Sequence, residues 1–314
     1  MNLSVRKFRD PEITATGERR AKVELRALQT LWFNTGTLCN ITCDNCYIES
    51  SPRNDRLVYL SRAEVLGFLD AATSLRPRPV EIGFTGGEPF MNREIIGMIE
   101  DSLAAGFRIL VLTNAMRPMQ RFKAPLAAIR ARYPDPDRLT LRVSLDHYQL
   151  TRHEQLRGKG SWAPTIHGMR WLAETGFDLS VAGRTIWGET QAQSRAGYRQ
   201  LFAQLGFRID AEDPARLVLF PEMRADEDVP EITEKCWGLL GKSPDSVMCA
   251  SSRMVVKRKG AERPSVIACT LLPYDTAFEL GATLAEAAAQ PVALNHPYCA
   301  RFCVLGGASC SAHR

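Results

Sequence analysis

The sequence predicts an α/β fold, a partial barrel of six β/α units followed by a small C-terminal region that contains a hairpin. Six short apolar segments suited to buried strands alternate with longer segments of helical periodicity. This alternation is typical of parallel β/α units, whose functional groups collect at the carboxyl ends of the strands. It stops near residue 222, and six of the nine cysteines follow between residues 236 and 310.

The same alternation divides the chain into three predicted parts. Residues 1–28 form a polar lead-in, residues 29–222 the partial barrel, and residues 223–314 a cysteine-rich domain. The barrel strands are predicted at residues 31–35, 80–85, 107–113, 139–145, 177–185 and 217–220. The helices between them are predicted at residues 61–75, 92–105, 120–132, 162–175 and 191–205.

Local signals support elements in both halves of the chain. Ser61 followed by Glu64 is a capping box, which satisfies amide donors at the start of the first helix. In the C-terminal part, residues 253–258 and 265–270 are predicted to pair as a hairpin, with a short helix at about 282–289. We expect this part to have little apolar core, so that a bound metal would stabilise it.

Charge and hydropathy exclude several functional classes. The net charge of +5 is small and spread along the chain, which argues against a nucleic-acid partner. No apolar run is long enough to cross a membrane, and the N-terminus lacks the pattern of a signal peptide. We therefore expect a cytoplasmic protein, in which the nine cysteines serve metal binding or catalysis rather than disulfides.

The first cysteine cluster lies directly after the first predicted strand. Three residues separate Cys39 from Cys43, and two separate Cys43 from Cys46. A loop this tight brings three thiolates around one iron–sulfur cluster and leaves one iron without a protein ligand, as a catalytic metal site requires. A structural zinc site with a distant fourth ligand is the alternative that the spacing leaves open.

A glycine-rich turn follows the second predicted strand and reads Gly86, Gly87, Glu88, Pro89. Adjacent glycines let a backbone approach a ligand closely, and a carboxylate beside them can hold an ammonium group. Taken alone, this turn is ordinary. Its place about forty residues after the cysteine loop makes it informative.

The cysteine loop and the glycine turn together resemble the CxxxCxxC and GGEP motifs of the radical S-adenosylmethionine (SAM) superfamily, whose fold is a partial TIM-like barrel. The resemblance implies a [4Fe–4S] cluster on Cys39, Cys43 and Cys46, whose open iron chelates SAM, with the glycine turn binding the SAM amino group. Reductive cleavage then releases a 5′-deoxyadenosyl radical, which abstracts hydrogen from a substrate. The family usually has an aromatic residue before the third cysteine, where this chain has Asn45, and Tyr47 follows that cysteine.

Later strand ends resemble further parts of the family pattern. The third strand ends in a Thr-Asn turn at Asn114, and the fourth in a Ser-Leu-Asp motif at Ser144, with His147 in place of the usual glycine. The resemblance implies that Ser144 helps to hold SAM and that Arg157 reaches its carboxylate, whereas a solvated loop arginine is the alternative for Arg157. Arg184 is a further candidate for binding SAM or substrate, or else a member of a buried ion pair.

The C-terminal cysteines resemble those of a twitch domain, a shortened SPASM domain that carries one auxiliary [4Fe–4S] cluster. The favoured ligands are Cys249, Cys269, Cys299 and Cys303, with Cys310 as the substitute for either of the last two. Cys236 is expected to be a small buried residue. Zinc, with His296 as a further ligand, is the alternative for this region.

Three functions follow from these observations. The first is a radical SAM oxidoreductase that abstracts hydrogen from a small molecule and takes electrons from a donor such as flavodoxin or ferredoxin. The second is a peptide-modifying maturase, which the short lead-in before the barrel argues against mildly. The third is a non-catalytic iron–sulfur or zinc protein. Trp187, Glu222 and Met223 lie at or beyond strand ends, where packing or substrate recognition would explain them.

Overall fold

The structure is a computed structural model that describes residues 7–222, 224 and 227–306. Its strands are β1 (Lys22–Val23), β2 (Thr30–Asn34), β3 (Glu81–Thr85), β4 (Arg108–Thr113), β5 (Leu139–Ser144), β6 (Asp178–Arg184), β7 (Leu217–Phe220), β8 (Ser252–Val256), β9 (Ser265–Ile267) and β10 (Val292–Ala293). Eight of them form one sheet in the spatial order β7-β6-β5-β4-β3-β2-β8-β9, and β1 pairs with β10. All neighbours from β7 to β8 are parallel, which confirms the predicted α/β class.

The helices are α1 (Arg62–Ser74), α2 (Ile95–Ala104), α3 (Arg117–Gln120), α4 (Lys123–Arg132), α5 (Leu150–Arg157), α6 (Trp162–Glu174), α7 (Gln191–Leu205), α8 (Cys236–Leu240) and α9 (Leu284–Ala289). Each predicted helix is present, and the capping box of Ser61 and Glu64 is formed. The helix predicted at 120–132 is preceded by the separate short helix α3. Helix α5 was not predicted, because its residues are mostly polar and give no apolar period. None of the described helices combines the length and apolar character that a membrane crossing requires.

The C-terminal hairpin continues the barrel sheet. Strands β8 and β9 pair antiparallel, as predicted, but β8 also pairs in parallel with β2, so that Thr30 lies opposite Ser252. The expectation of little apolar core in this part is wrong, because Val255, Phe278 and Ala287 are buried in the same cluster as the barrel residues. The shared sheet explains this burial, and the domain limit at residues 222 and 223 stays a prediction.

The lead-in is tied to later segments by buried charges. The Arg20 guanidinium donates to Glu231 at 2.5 Å, and the two side chains are 0% and 5% exposed. It also donates to the carbonyl oxygens of Asp10 and Leu294. A buried arginine is tolerated only when its donors are paired, so these contacts hold the lead-in against the C-terminal part.

The barrel interior is packed around Trp32, which projects from β2 and is fully buried. Its indole ring lies on Gly83 of β3, and a Cβ at that position would overlap the ring. Met254 and Phe302 from the C-terminal part belong to the same interior cluster. Side chains from both ends of the chain therefore fill the space below the carboxyl ends of the strands.

Gly83→Ala should destabilise the protein by about 1–3 kcal/mol, because the added methyl group overpacks the interior against Trp32. Gly67→Ala is the matched control. Gly67 lies in α1, and no neighbouring atom lies within 4 Å of the place that a Cβ would take, so alanine should stabilise the helix by roughly 0.5–1 kcal/mol. Urea unfolding midpoints measure both effects, and shifts of equal sign would contradict this packing around Trp32.

Candidate active site

Most of the residues predicted for the first site surround one cavity of about 190 Å³ at the carboxyl ends of the strands. The cavity is lined by the predicted residues Cys39, Cys43, Cys46, Gly86, Gly87, Asn114, Ser144, Arg157 and Arg184. Glu88 and Pro89 are buried behind this wall and are not among the lining residues. The fold thus brings residues from six separate segments of the chain to one place.

The cysteine loop is held by backbone contacts to two other segments. The Cys39 amide donates to the Ser51 carbonyl at 3.1 Å, and the Asp44 amide donates to the Leu156 carbonyl at 2.7 Å. Asn45 has φ +52°, in the left-handed region that asparagine tolerates better than most residues. This backbone conformation gives a physical reason for asparagine at the position where the family usually has an aromatic residue.

The two glycines after β3 allow the turn to touch the cysteine loop. A Cβ on Gly86 would overlap the Gly36 carbonyl oxygen, and a Cβ on Gly87 would overlap that of Leu38. The Gly87 amide donates to the Gly36 carbonyl at 2.9 Å, and the Glu88 amide donates to the Leu38 carbonyl at 3.2 Å. The glycines therefore serve a close approach between two backbones, in addition to lining the cavity.

Glu88 directs its carboxylate away from the cavity and is only 1% exposed. One oxygen accepts from the Thr113 hydroxyl at 2.9 Å and the Phe90 amide at 3.2 Å, and the other accepts from the Asn114 amide at 2.8 Å. Burial raises the pKa of Glu88 to about 7, although these donors favour the charged form. The carboxylate is thus already bonded within the protein.

Arg157 forms a two-bond ion pair with Asp146, at 2.8 Å and 3.2 Å. Its side chain is 14% exposed, so the alternative of a solvated loop arginine is wrong. Burial acts to lower the pKa of Arg157, but the negative charges of Asp146 and Cys43 outweigh it and raise that pKa. The pair places a cation next to the cysteine loop.

Arg184 also contacts the cysteine loop. Its Nη1 donates to the Asn45 carbonyl at 3.3 Å, and its guanidinium lies 4.5 Å from the centre of the Tyr47 ring. Among the residues that the structure describes, no carboxylate lies within ion-pair distance of Arg184, so the alternative of a buried ion pair is wrong. Its Nε and Nη2 have no hydrogen-bond partner in that part of the chain.

Two charged residues of the cavity lining were not predicted. Asp146 lines the cavity as the partner of Arg157, and its place in the Ser-Leu-Asp motif was the available signal. Arg142 of β5 lines the cavity, is 2% exposed and donates from Nε to the Ser180 hydroxyl at 3.2 Å. Its one signal in the sequence was a charged side chain in an otherwise apolar strand segment, and such a signal has no period. Together they add one negative and one positive charge to the lining.

The three thiols of the first loop are free and line the cavity together. Within the described ranges, no three His, Cys, Asp or Glu side chains form a group that could hold one metal ion. The ligands of an iron–sulfur cluster bind separate irons and need not converge on one point. Burial raises the pKa of Cys39 to about 12 and raises that of Cys43, whereas the Arg157 charge lowers both.

A second group of cysteines lies in the C-terminal part. Cys249 and Cys299 are buried, Cys269 and Cys303 are half-buried, and all four contact the main apolar core. Burial raises the pKa of Cys299 well above its usual value, and the nearby charges of Cys269 and Cys249 add to this. Cys299 and Cys303 share the π-helix Cys299–Leu305. A π-helical turn is wide and is often found at functional sites.

The remaining C-terminal candidates take no part in this group as far as the structure describes it. Cys310 lies outside the described residues. The sulfur of Cys236 accepts from the Thr233 amide at 3.4 Å, which is a local contact. The His296 ring packs edge-on against Tyr298, and its Nδ1 accepts from the Tyr298 amide at 3.1 Å.

Residues beside the second cysteine group reach the wall of the first cavity. Thr270 and Leu271, which follow Cys269, line that cavity. The Phe302 ring, next to the second cysteine of the π-helix, stacks on Phe220 at 5.4 Å, and Phe220 lies 6.0 Å from the ring of Tyr47. The second group is therefore adjacent to the first cavity.

The predicted substrate contacts do not line the cavity where they are described. The Trp187 indole donates to Gln155 at 3.1 Å and packs edge-on against His147. Glu222 is half-buried outside the cavity lining, and Met223 lies outside the described residues. His147 is 1% exposed and does not have positive φ, so this side chain fits where relatives have glycine.

Comparisons with known proteins agree with this geometry. A family model described as the Radical SAM superfamily matches residues 33–191, just over half of the chain. Mycofactocin maturase MftC of Mycolicibacterium smegmatis is 27% identical over 139 residues, 44% of this chain and 33% of that protein. The antilisterial bacteriocin subtilosin biosynthesis protein AlbA of Bacillus subtilis is 26% identical over 172 residues, 54% of this chain and 35% of that protein. The chain spans about a third of the length of these curated relatives.

Solved structures share the fold at low identity. SuiB of Streptococcus suis, bound to S-adenosylmethionine, has a TM-score of 0.57 and 13% identity, over 82% of this chain and 64% of that chain. Native anSMEcpe with bound AdoMet has a TM-score of 0.57 and 12% identity, over 83% of this chain and 80% of that chain. At these identities the likeness shows the fold.

Glu88→Gln should flatten the pH dependence of stability. Because burial raises the pKa of Glu88 from 4.5 to about 7, the folded protein keeps a proton that the unfolded chain releases. The stabilisation is fully present below pH 4.5 and is lost as the pH rises through 7. Relative to the variant, the unfolding free energy of the wild type should fall by up to about 3 kcal/mol across this window.

Urea unfolding at a series of pH values measures this difference. His153, whose pKa burial lowers to about 4, acts with the opposite sign but is the same in both proteins and cancels. Curves that stay parallel from about pH 5 to pH 8 would show that Glu88 does not titrate as described.

Proposed function

The chain belongs to the radical SAM superfamily, and from this membership we propose that it cleaves S-adenosylmethionine reductively at a cluster held by Cys39, Cys43 and Cys46. Membership brings a [4Fe–4S] cluster and SAM as cofactors. When bound, the cluster supplies the electron that breaks the sulfonium bond and yields the 5′-deoxyadenosyl radical. The observation that carries the proposal is that the three free thiols line one cavity with the glycine turn and three arginine side chains.

The polar side of the cavity suits the charged groups of SAM. Arg157 uses Nε and Nη2 for Asp146, and we propose that its Nη1 and the Ser144 hydroxyl hold the SAM carboxylate. Gly86 and Gly87 offer backbone groups at the cavity wall. Asn114 and Arg184 complete the proposed set of cofactor-binding residues, with Arg184 also placed to steady the cysteine loop.

An auxiliary [4Fe–4S] cluster in a twitch or SPASM-like domain is proposed for the second cysteine group. Cys249 and Cys269 lie near enough to Cys299 to raise the pKa of its thiol, and Cys303 shares the π-helix with Cys299, which supports this ligand set. Thr270 and Leu271, which follow Cys269, line the first cavity, so a cluster in the second group would lie next to the place of the substrate. Flavodoxin or ferredoxin as the external donor stays a prediction.

We propose a peptide as the substrate, in place of the small molecule that the sequence favours. Similar proteins support this choice, since MftC is a maturase and SuiB has been solved with its precursor peptide SuiA. The radical would abstract hydrogen from a residue of that peptide. An oxidoreductase acting on a small molecule is the second candidate.

Cys43→Ala should abolish formation of 5′-deoxyadenosine, because two thiolates do not hold the cluster in place for catalysis. The assay reconstitutes the protein with iron and sulfide without oxygen, adds dithionite and SAM, and quantifies the nucleoside. Cys236→Ser is the matched control, since Cys236 is not among the residues that line the cavity and its sulfur accepts from the nearby Thr233 amide, and this variant should keep its activity. Turnover by Cys43→Ala at the wild-type rate would refute the proposed site.

Cys269→Ala should remove roughly half of the iron, from about eight to about four irons per chain, if two [4Fe–4S] clusters are present. Iron and sulfide analysis and the electron paramagnetic resonance spectrum of the reduced protein measure the loss. A wild-type content of about four irons per chain would instead mean a single cluster and would rule out the auxiliary one.

A further inference from the structure

The turn after β4 has a strained backbone that neighbouring groups hold in place. Ala115 has φ +56°, which is unfavourable for a residue with a side chain. Its amide donates to the Thr113 hydroxyl at 3.0 Å, and α6 packs so closely that a Cβ on Gly168 would overlap the Ala115 carbonyl. This turn carries Asn114, one of the proposed cofactor-binding residues, so its shape matters for the cavity.

Glu88 is the acceptor at the centre of this turn. Its carboxylate takes hydrogen bonds from the Thr113 hydroxyl, the Asn114 amide and the Phe90 amide. An ionised carboxylate has about four lone-pair sites, so three donors use most of its capacity. The carboxylate does not line the cavity, whereas Thr113 and Asn114 do, and they stand between it and any ligand.

The hydrogen bonds continue from the turn to the cysteine loop. The side-chain Nδ2 of Asn114 donates to Oδ1 of Asn40 at 2.9 Å, and its Oδ1 accepts from the Met116 amide at 2.9 Å. Asn40 directly follows Cys39 and also contacts the Met116 sulfur at 3.8 Å. Glu88, Asn114 and Asn40 therefore form one relay from the end of β3, through the end of β4, to the first cysteine.

We propose that Glu88 is a positioning residue and does not contact the ammonium group of SAM. It fixes the turn at Asn114 and, through Asn40, the Cys39 end of the cysteine loop. The burial of the carboxylate, its three donors within the protein and its place behind the cavity wall support this role. The proposal rests on the proposed function in one respect, namely that the cysteine loop holds a cluster that binds SAM. The relay itself is a property of the protein without cofactor.

Hydrogen–deuterium exchange of the protein without cofactor tests the relay in wild type, Glu88→Gln, Asn40→Ala and the double variant, at about pH 8, where Glu88 with its pKa of about 7 is ionised. Glutamine has one acceptor oxygen and turns an NH₂ group toward donors, so Glu88→Gln should speed exchange in residues 113–116 and 39–46 by about tenfold or more. Asn40→Ala removes only the last link and should speed exchange in residues 39–46 alone. The backbone amides of residues 39–46 should exchange no faster in the double variant than in Glu88→Gln, because both changes break the same relay.

Glu94→Gln is the matched control, because it makes the same chemical change in a carboxylate that accepts from the Arg62 amide at the start of α1. It should leave exchange in both segments unchanged. Exchange in Glu88→Gln that equals the wild type would overturn the positioning role.

The second part of the experiment measures the affinity of the reconstituted proteins for SAM. Both Glu88→Gln and Asn40→Ala should weaken SAM binding, and their effects should not multiply. Weakening by Glu88→Gln alone, with Asn40→Ala as tight as wild type, would show direct contact with the ligand and overturn the proposal. If the wild type bound no SAM, the proposed function would fail, while the exchange data would still decide the role of Glu88.

Discussion

The site depends on one contact in which two stretches of backbone meet with no side chain between them. Residues 86–88 form a short ladder with residues 36–38, and the carbonyl oxygens of Gly36 and Leu38 occupy the space where side chains on Gly86 and Gly87 would be. Since the cysteine loop begins at this ladder, main-chain contacts set the position of the Cys39 backbone, from which the first thiol projects. The other contacts of the loop, to Ser51 and Leu156, fix the rest of its path.

Most charged side chains around the cavity are bonded within the protein rather than exposed to solvent. Arg157 and Asp146 neutralise each other, and Glu88 is enclosed by donors from the protein. Burying such groups is costly unless their hydrogen bonds are made. Arg184 is different, because its guanidinium lies on the Tyr47 ring and two of its nitrogens have no partner among the described residues. It is the part of the described site whose bonding a bound ligand would change most.

Sequence periodicity predicted the strands and helices well, because buried parallel strands and amphipathic helices leave clear apolar patterns. Spacing also identified the cysteine loop and the glycine turn. The direction of the Glu88 carboxylate was not predictable, since it depends on a turn near Asn114 that packs against it from another strand. The pairing of β8 with β2 was not predictable either. Each of these short apolar segments is compatible with several neighbours, and only the assembled sheet selects among them. Arg142 was missed because a single charged residue in a strand has no periodic signature.

The parallel pairing of β8 with β2 has a consequence for the order of assembly. During synthesis the strand that leads into the cysteine loop emerges early, yet its second neighbour, residues 252–256, emerges more than two hundred residues later. Contacts so distant along the chain form slowly and leave an open strand edge until they do. Strand β2, which leads to the first thiol, therefore gains its second neighbour only when most of the polypeptide has left the ribosome. This sets the earliest moment at which a fully formed cavity can receive its iron.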